Sequence, residues 1–300
     1  MYSAEALKMK LGLIGFGQVG SAFAKGLRKE GFPHIVAYDK MQDTQQYGDM
    51  IKRRAKEADI ELLSDAEQLV KNSDIIICVT SASVAVESAQ QILPFIAPNH
   101  IYADLNSTSP EVKERIANLI METEAKFVDG AIMGSISLYG YKSQILVCGD
   151  GAEIFAKALS TWGMNIRKIG DKPGQASALK MVRSVWAKGI EALLIESLLA
   201  AYEYEILEPV FESVCEMMQE DFATLANMLI TTDAIHAQRR AHEMDEVIRT
   251  LQHVGADFTM SQATRNKLQW SANLGLKEDY KGEIPNDFRE VLAKLAQKSH

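Results

Sequence analysis

Short apolar runs alternate with amphipathic stretches through the first 170 residues of this 300-residue chain. The apolar runs read as strands at Leu11–Ile14, Ile35–Tyr38, Ile60–Leu63, Asp74–Val79, His100–Asp104, Lys126–Asp129, Gln144–Cys148 and Asn165–Ile169. Asp74–Val79 is apolar without polar alternation, the mark of a strand buried on both faces of a parallel sheet. Between the runs lie helical patterns. Val19, Phe23 and Leu27 share one helix face, and Thr44–Glu57, Glu111–Glu124 and Glu153–Trp162 continue the series. Ser64-Asp65 can cap a short helix to Lys71, because an acceptor side chain there satisfies the first free N–H groups. Strand–helix alternation of this kind predicts an α/β fold with an open, doubly wound, mostly parallel sheet covered on both faces. Ligands in such sheets bind beyond the carboxyl ends of the strands. Gly15–Gly20, Thr80–Ser83, Asn106–Pro110 and Met133–Ser135 all fall at those ends, so they should converge on one cleft.

Gly170-Asp171-Lys172-Pro173-Gly174 is rich in turn formers and marks a boundary. Beyond it no strand pattern appears. Gln175–Glu205 is a long run of helix formers without proline, about 45 Å long at the usual rise. Pro209 interrupts the pattern, and helices follow at roughly Val210–Glu220, Asp221–Ile230, Ile235–His253, Thr259–Leu274 and Asn286–Gln297. The expected organisation is a nucleotide-binding domain over residues 1–170 and an all-helical domain over 171–300. A long connecting helix with a small helical domain buries apolar surface against a partner, which leads us to expect a homodimer.

The chemistry concentrates in Lys10–Asp39, which reads KLGLIGFGQVGSAFAKGLRKEGFPHIVAYD. A strand enters Gly15-Phe16-Gly17-Gln18-Val19-Gly20, a helix follows, and a second strand ends on Asp39. The GxGxxG spacing with an acid about 20 residues on is the fingerprint of a Rossmann-type dinucleotide site. Gly15 permits a tight turn, Gly17 lets the backbone approach a pyrophosphate, and Gly20 lets the helix pack closely. The helix N-terminus offers free N–H groups and partial positive charge to the phosphates. Asp39 can accept from both hydroxyls of an adenosine ribose and would repel a 2′-phosphate, which favours NAD over NADP. Lys40, Arg53 and Arg54 lie near enough in sequence to weaken that preference, or else form a solvated surface.

The net charge of −8 argues against a nucleic-acid partner. No apolar run reaches the length of about 20 residues that crosses a bilayer. The N-terminal MYSAEALKMK lacks an apolar signal core. Cys78, Cys148 and Cys215 are an odd count with no CxxC spacing, and the first two sit inside apolar strand patterns as buried thiols. A reduced, cytoplasmic protein is expected. His236 and His242 lie on a helix without a metal-ligand arrangement, so no metal site is expected.

Four segments, in order, resemble the β-hydroxyacid dehydrogenases, the family of 3-hydroxyisobutyrate and 6-phosphogluconate dehydrogenases. They are the glycine loop, Asp104-Leu105-Asn106-Ser107-Thr108-Ser109-Pro110, Met133-Gly134-Ser135, and Gly174-Gln175-Ala176-Ser177-Ala178-Leu179-Lys180-Met181-Val182. The helical half resembles a less-studied branch through Lys188-Gly189, Arg239–Met244 and Thr264–Leu276. The resemblance implies hydride transfer between NAD or NADP and a small 3-hydroxy acid, or its aldehyde or ketone. It makes Lys180 the general acid/base, with Asn106, Ser107, Gly134 and Ser135 holding the substrate carboxylate. Thr80 and Ser81 would border the nicotinamide ribose. Two departures matter. Ser184 stands where the family has asparagine four residues after the lysine, so it offers a hydroxyl beside Lys180 with shorter reach. Ala187 stands where 6-phosphogluconate dehydrogenase has its proton-donating glutamate, which speaks against decarboxylation of that substrate. A C=N reductase on the same fold and a cofactor-binding sensor without turnover are the competing readings; relatives that reduce C=N bonds commonly replace the lysine.

Overall fold

The computed structural model describes residues 9–299, and the N-terminal segment read above as lacking a signal core lies outside the described residues through position 8. Contacts divide the chain into two compact units, Met1–Ser184 and Val185–His300.

The first unit alternates strands and helices in chain order. They are β1 (Lys10–Ile14), α1 (Gln18–Lys29), β2 (His34–Tyr38), α2 (Gly48–Glu57), β3 (Glu61–Leu62), α3 (Ala66–Lys71), β4 (Ile75–Cys78), α4 (Ala85–Ile92), β5 (Ile101–Asp104), α5 (Pro110–Met121), β6 (Lys126–Ile132), α6 (Ile136–Tyr139), β7 (Ile145–Cys148), α7 (Ala152–Ser160) and β8 (Ile166–Lys168). The strands form one sheet in the order β3-β2-β1-β4-β5-β6-β7-β8. Pairing is parallel except between β6 and β7. The central strands are buried from end to end because helices cover both faces, and two apolar clusters result. One packs Leu11, Leu13, Phe23, Phe155 and Trp162 on one side of the sheet. The other packs Ile76, Cys78, Ala89, Tyr102 and Ile116 on the opposite side. Asp65 caps α3 by accepting from the Gln68 N–H at 2.8 Å, as its position before the apolar pattern implies.

Two features of this unit depart from the sequence pattern. Strand β6 runs on through Gly130 to Ile132, because β7 pairs with it over that whole length. The chain between them forms the short α6, which follows no clear periodicity.

α8 (Gln175–Glu203) begins in the first unit and continues into the second. Then follow α9 (Leu207–Met217), α10 (Phe222–His253), α11 (Thr259–Asn273), α12 (Leu276–Asp279) and α13 (Phe288–Lys298). Pro209 does not interrupt a helix here. It is the third residue of α9, in the first turn, where its missing N–H is not needed. The helices expected at Asp221–Ile230 and Ile235–His253 are one helix. Across the expected break, the Thr231 and Thr232 hydroxyls donate to the carbonyls of Asn227 and Met228 one turn back, at 2.8 and 2.6 Å, without opening the helix. The small core of this unit joins Ala234, Ile235, Leu276 and Val291. Among the described residues no helix is long and apolar enough to cross a membrane.

Candidate active site

The glycine loop leaves β1 at Gly15, whose φ of +88° is reached without strain by glycine alone. A Cβ there would lie 2.8 Å from the Val79 carbonyl oxygen. At Gly20 a Cβ would meet the Gly15 carbonyl oxygen at 2.4 Å, so the first turn of α1 closes onto the loop itself. At Gly17 a Cβ would meet nothing within 4 Å. It would project into open space at the N-terminus of α1, the place a pyrophosphate requires.

Beside this loop lies a cavity of about 460 Å³, lined by Gly15, Gly17, Gln18, Val19, Asp39, Thr80 and Ser81 among others. Asp39 stands at the end of β2. Its Oδ2 accepts the Phe16 N–H at 2.7 Å and its Oδ1 accepts the Met41 N–H at 2.9 Å. Each oxygen keeps a lone pair for a further donor. A dinucleotide fits these groups: a bare backbone approach at Gly17, a helix N-terminus, and an acceptor at the far end of the cavity. Two of the expected cofactor residues are not in the cavity wall. The Phe16 ring is fully buried in the core and its N–H is occupied by Asp39, so Phe16 supports the loop from behind. Gly20 likewise acts through packing. Lys40 pairs with Glu87 at 2.6 Å, and Arg53 lies 3.9 Å from Glu57.

A second cavity, of about 180 Å³, adjoins the first through Val19, Val79 and Thr80, and is lined further by Leu105, Asn106, Ser107 and Ile132. One of these lining residues, Ser107, accepts from Lys180: Nζ donates to its Oγ at 2.6 Å. Lys180 stands on the second turn of α8, half-buried. Burial pushes its pKa below the ordinary lysine value, and the positive charge of Lys113 adds to the effect.

Asn106 lines the second cavity but is held from behind. Its side chain is buried, and its amide donates to Asp104 Oδ2 at 2.7 Å and to Cys78 Sγ at 3.3 Å. With both amide hydrogens taken up, it anchors the loop and has no donor left for a carboxylate. The Ser184 hydroxyl donates back to the Lys180 carbonyl at 2.9 Å, the usual habit of serine within a helix. Gly134 and Ser135 lie exposed just past β6 and line neither cavity. Ser135 instead starts α6, its carbonyl accepting the Tyr139 N–H at 2.9 Å. Gln18 of the glycine loop donates to Ser137 of α6 at 2.9 Å.

Sequence reasoning passed over a set of charges beneath the site. Asp104 and Asp129 are direct neighbours on β5 and β6, and both are fully buried. Two carboxylates side by side in the core require a cation, and Lys113 of α5 supplies it, itself fully buried. Its ammonium pairs with Asp104 Oδ1, donates to the Asp104 carbonyl at 2.6 Å, and lies 3.5 Å from Asp129 Oδ1. The signal was present: Lys113 falls on the stripe of α5 that also carries Ile116, Ala117 and Ile120, the spacing of a buried face. Asp129 caps α8. Its Oδ2 accepts the Gly174 and Ser177 N–H groups at 3.0 and 3.2 Å, and its Oδ1 accepts the Ser177 hydroxyl at 2.8 Å. Cys148 donates to the same carboxylate at 3.3 Å, and burial beside that charge pushes its thiol pKa up to about 12.

Comparison with known proteins agrees with this arrangement. The NAD binding domain of 6-phosphogluconate dehydrogenase matches residues 10–170, and a domain of unknown function, DUF1932, matches residues 201–271. An uncharacterized 28.5 kDa protein of Methanothermus fervidus is 30% identical over 86% of this chain and 97% of its own length. Mitochondrial 3-hydroxyisobutyrate dehydrogenase of Mus musculus is 27% identical over 55% of this chain, and the match spans 49% of that enzyme. Among solved structures, a conserved protein of unknown function described as structurally similar to 3-hydroxyacid dehydrogenases is 32% identical, with a TM-score of 0.62 over 89% of this chain and 99% of that one. An imine reductase from Aspergillus terreus shares the fold with a TM-score of 0.73, at 15% identity over 95% of this chain and 98% of that one. The glycine loop, the acid that closes its cavity and the matched Rossmann unit have one reading: the chain belongs to the β-hydroxyacid dehydrogenase family of NAD(P)-dependent oxidoreductases.

Proposed function

We propose that the protein interconverts a small 3-hydroxy acid and its aldehyde or ketone, with Lys180 as general acid/base. The bound nicotinamide supplies the hydride acceptor or donor when the cofactor is in place. In oxidation, Lys180 Nζ takes the proton of the substrate hydroxyl; in reduction it returns a proton to the carbonyl oxygen. Ser107 Oγ accepts from Lys180, which leaves its own hydrogen to donate to the substrate. Gly134 and Ser135 follow closely on Ile132, which lines the second cavity, and in this reading their backbone groups hold the substrate carboxylate at its edge while Ser184 packs beside the base. Thr80 and Ser81 border the ribose, while the turn from Gly15 through Gly20 cradles the phosphates. Asp39 binds the adenosine ribose, and the pairing of Lys40 with Glu87 supports NAD as the preferred cofactor.

The observation that carries this reading is the 2.6 Å contact of Lys180 Nζ with Ser107 Oγ, a residue that lines the cavity next to the nucleotide cavity. A lysine with a lowered pKa suits the task, because a base must be neutral before it can accept a proton. Oxidation should therefore speed up as pH rises through the pKa of Lys180, and reduction should slow over the same range. Replacing Lys180 by Met tests the assignment. Turnover on a panel of hydroxy acids should fall by about 10²–10⁴-fold with NADH affinity unchanged, and the pH limb should vanish. Unchanged turnover would refute Lys180 as the proton carrier. Activity on cyclic imines alone would favour C=N reduction. No turnover by the wild type, with cofactor binding intact, would leave a nucleotide sensor.

In this reading the helical domain joins two copies in a cytoplasmic homodimer. What supports a second copy is that Val185, Ile195, Leu199 and Tyr202 on α8 are large apolar side chains exposed in the single chain.

A further inference from the structure

We propose that the buried set Asp104–Lys113–Asp129, with Ser177, is a positioning element that sets Lys180 against Ser107 from beneath the cleft. The inference rests on the reading of Lys180 as the proton carrier; its geometry stands on its own.

The set has two arms. On one arm Asp104 holds the loop after β5. Its Oδ1 accepts the Asn106 N–H at 3.2 Å and its Oδ2 accepts the Asn106 side-chain amide at 2.7 Å. The next residue is Ser107, whose hydroxyl receives the Lys180 ammonium. On the other arm Asp129 holds the first turn of α8 through the Gly174 and Ser177 N–H groups and the Ser177 hydroxyl. Ser177 precedes Lys180 by three residues, so both lie on one side of the helix. Lys113 closes the circuit. It pairs with Asp104 and with Asp129, which are register partners on β5 and β6. The loop that offers Ser107 and the helix that offers Lys180 are thereby fixed to one buried cation.

The arrangement exceeds what stability asks for. A buried ion pair is at best weakly stabilising against an apolar substitute of similar volume. A helix start can be capped by one exposed serine or aspartate. Here the cap is drawn into the core and tied to a second loop. The charged and titratable groups around the joint are Cys78 on β4, Tyr102 and Asp104 on β5, Lys113 and Glu114 on α5, Asp129 on β6, Cys148 on β7 and Arg183 on α8. Arg183 reaches the Met133 carbonyl at 3.4 Å, and the Cys148 Sγ accepts the Ala176 N–H at 3.2 Å. Of these groups, Lys113 also adds to the burial that lowers the pKa of Lys180.

The test reads the amine itself. Full-length protein is labelled with trace acetic anhydride across a pH series, and the Lys180 peptide is quantified by mass spectrometry. In the wild type the labelling midpoint should lie below that of exposed lysines. Lys113→Met should move it up towards them, since a neighbouring like charge is gone, and Lys113→Arg should restore it. Ser177→Ala, which keeps the backbone cap and drops only the hydroxyl, should raise Lys180 labelling severalfold at fixed pH as the amine leaves Ser107. Folding is monitored by circular dichroism and NADH fluorescence. A folded Lys113→Met variant with the wild-type midpoint would overturn the proposal. Should that variant not fold, Ser177→Ala decides, and wild-type labelling there overturns it equally. Labelling is independent of turnover. If labelling shifts while Lys180→Met retains activity, the proton-carrier reading fails and the positioning element stands.

Discussion

Each unit uses a buried carboxylate to start a helix, and the two carboxylates are wired differently. In the helical unit Glu196 of α8 accepts the Met260 and Ser261 N–H groups at 2.6 and 2.8 Å and the Ser261 hydroxyl at 2.6 Å. That is a closed joint: one side chain satisfies the first turn of α11 and fixes it to α8. In the sheet unit Asp129 does the same for α8, but it also faces Lys113 and, through it, Asp104 and the Ser107 loop. The first joint ends where it begins. The second passes from a helix to a loop that meets it again at the cleft. Capping alone therefore accounts for Glu196 and leaves Lys113 unexplained.

Substitutions separate the two joints. Asp129→Ala should have the largest effect, because it strands Lys113 beside a single carboxylate and opens the start of α8. We expect a loss of about 3–5 kcal/mol in urea unfolding, together with a shift of the Lys180 labelling midpoint. Glu196→Ala should lose about 1–3 kcal/mol, the cost of leaving the α11 donors unpaired, with the Lys180 midpoint unmoved. A shifted midpoint in Glu196→Ala would erase the distinction between the joints. Val185→Asp, on an exposed apolar position of the helical unit, should change chain stability by no more than about 0.5 kcal/mol. In sedimentation equilibrium it should convert dimer to monomer; a wild type that sediments as a monomer would remove the second copy from the picture. Smallest of all, Glu87→Gln should release Lys40 at the rim of the nucleotide cavity. It should shift the ratio of NADPH to NADH affinity by no more than about fivefold in favour of NADPH, measured by fluorescence titration, because the pair is exposed.

The sequence made the sheet unit legible because its elements announce themselves locally. Asp74–Val79 could only be a buried strand, and Gly15–Gly20 followed by Asp39 fixed both the turn and the end of the second strand. The helical unit read less well. Thr231-Thr232 looked like a break, yet α10 runs through it with both hydroxyls bonded to the preceding turn, and Ala234 and Ile235 just beyond are held in the unit's core, the tertiary packing that sustains a helix against weak local propensity. Pro209 looked like an interruption because a helix start cannot be told from a helix interior without the cap. At the site, the sequence pattern singled out Lys180 and Ser107, and the fold brings the two side chains within 2.6 Å of each other. The buried bonds of Asn106 were not legible, since its amide direction depends on Asp104, which becomes its partner only through the turn after β5. Asp129 and Lys113 were hidden for a similar reason. Sixteen positions separate them in the chain, and only the packing of α5 against β6 brings them together.

The place where the chain divides has a consequence for recombination. The compact boundary falls after Ser184, ten residues beyond the glycine at which α8 begins to be held. The amine thus travels with the nucleotide-binding half, clamped to it by Asp129 and Ser107. A chimera spliced in the turn near Gly170 would import a foreign amine with a foreign first turn. One spliced after Ser184 would keep its own. Homologous helical halves could then be exchanged, by chance or by design, while the amine keeps its native footing.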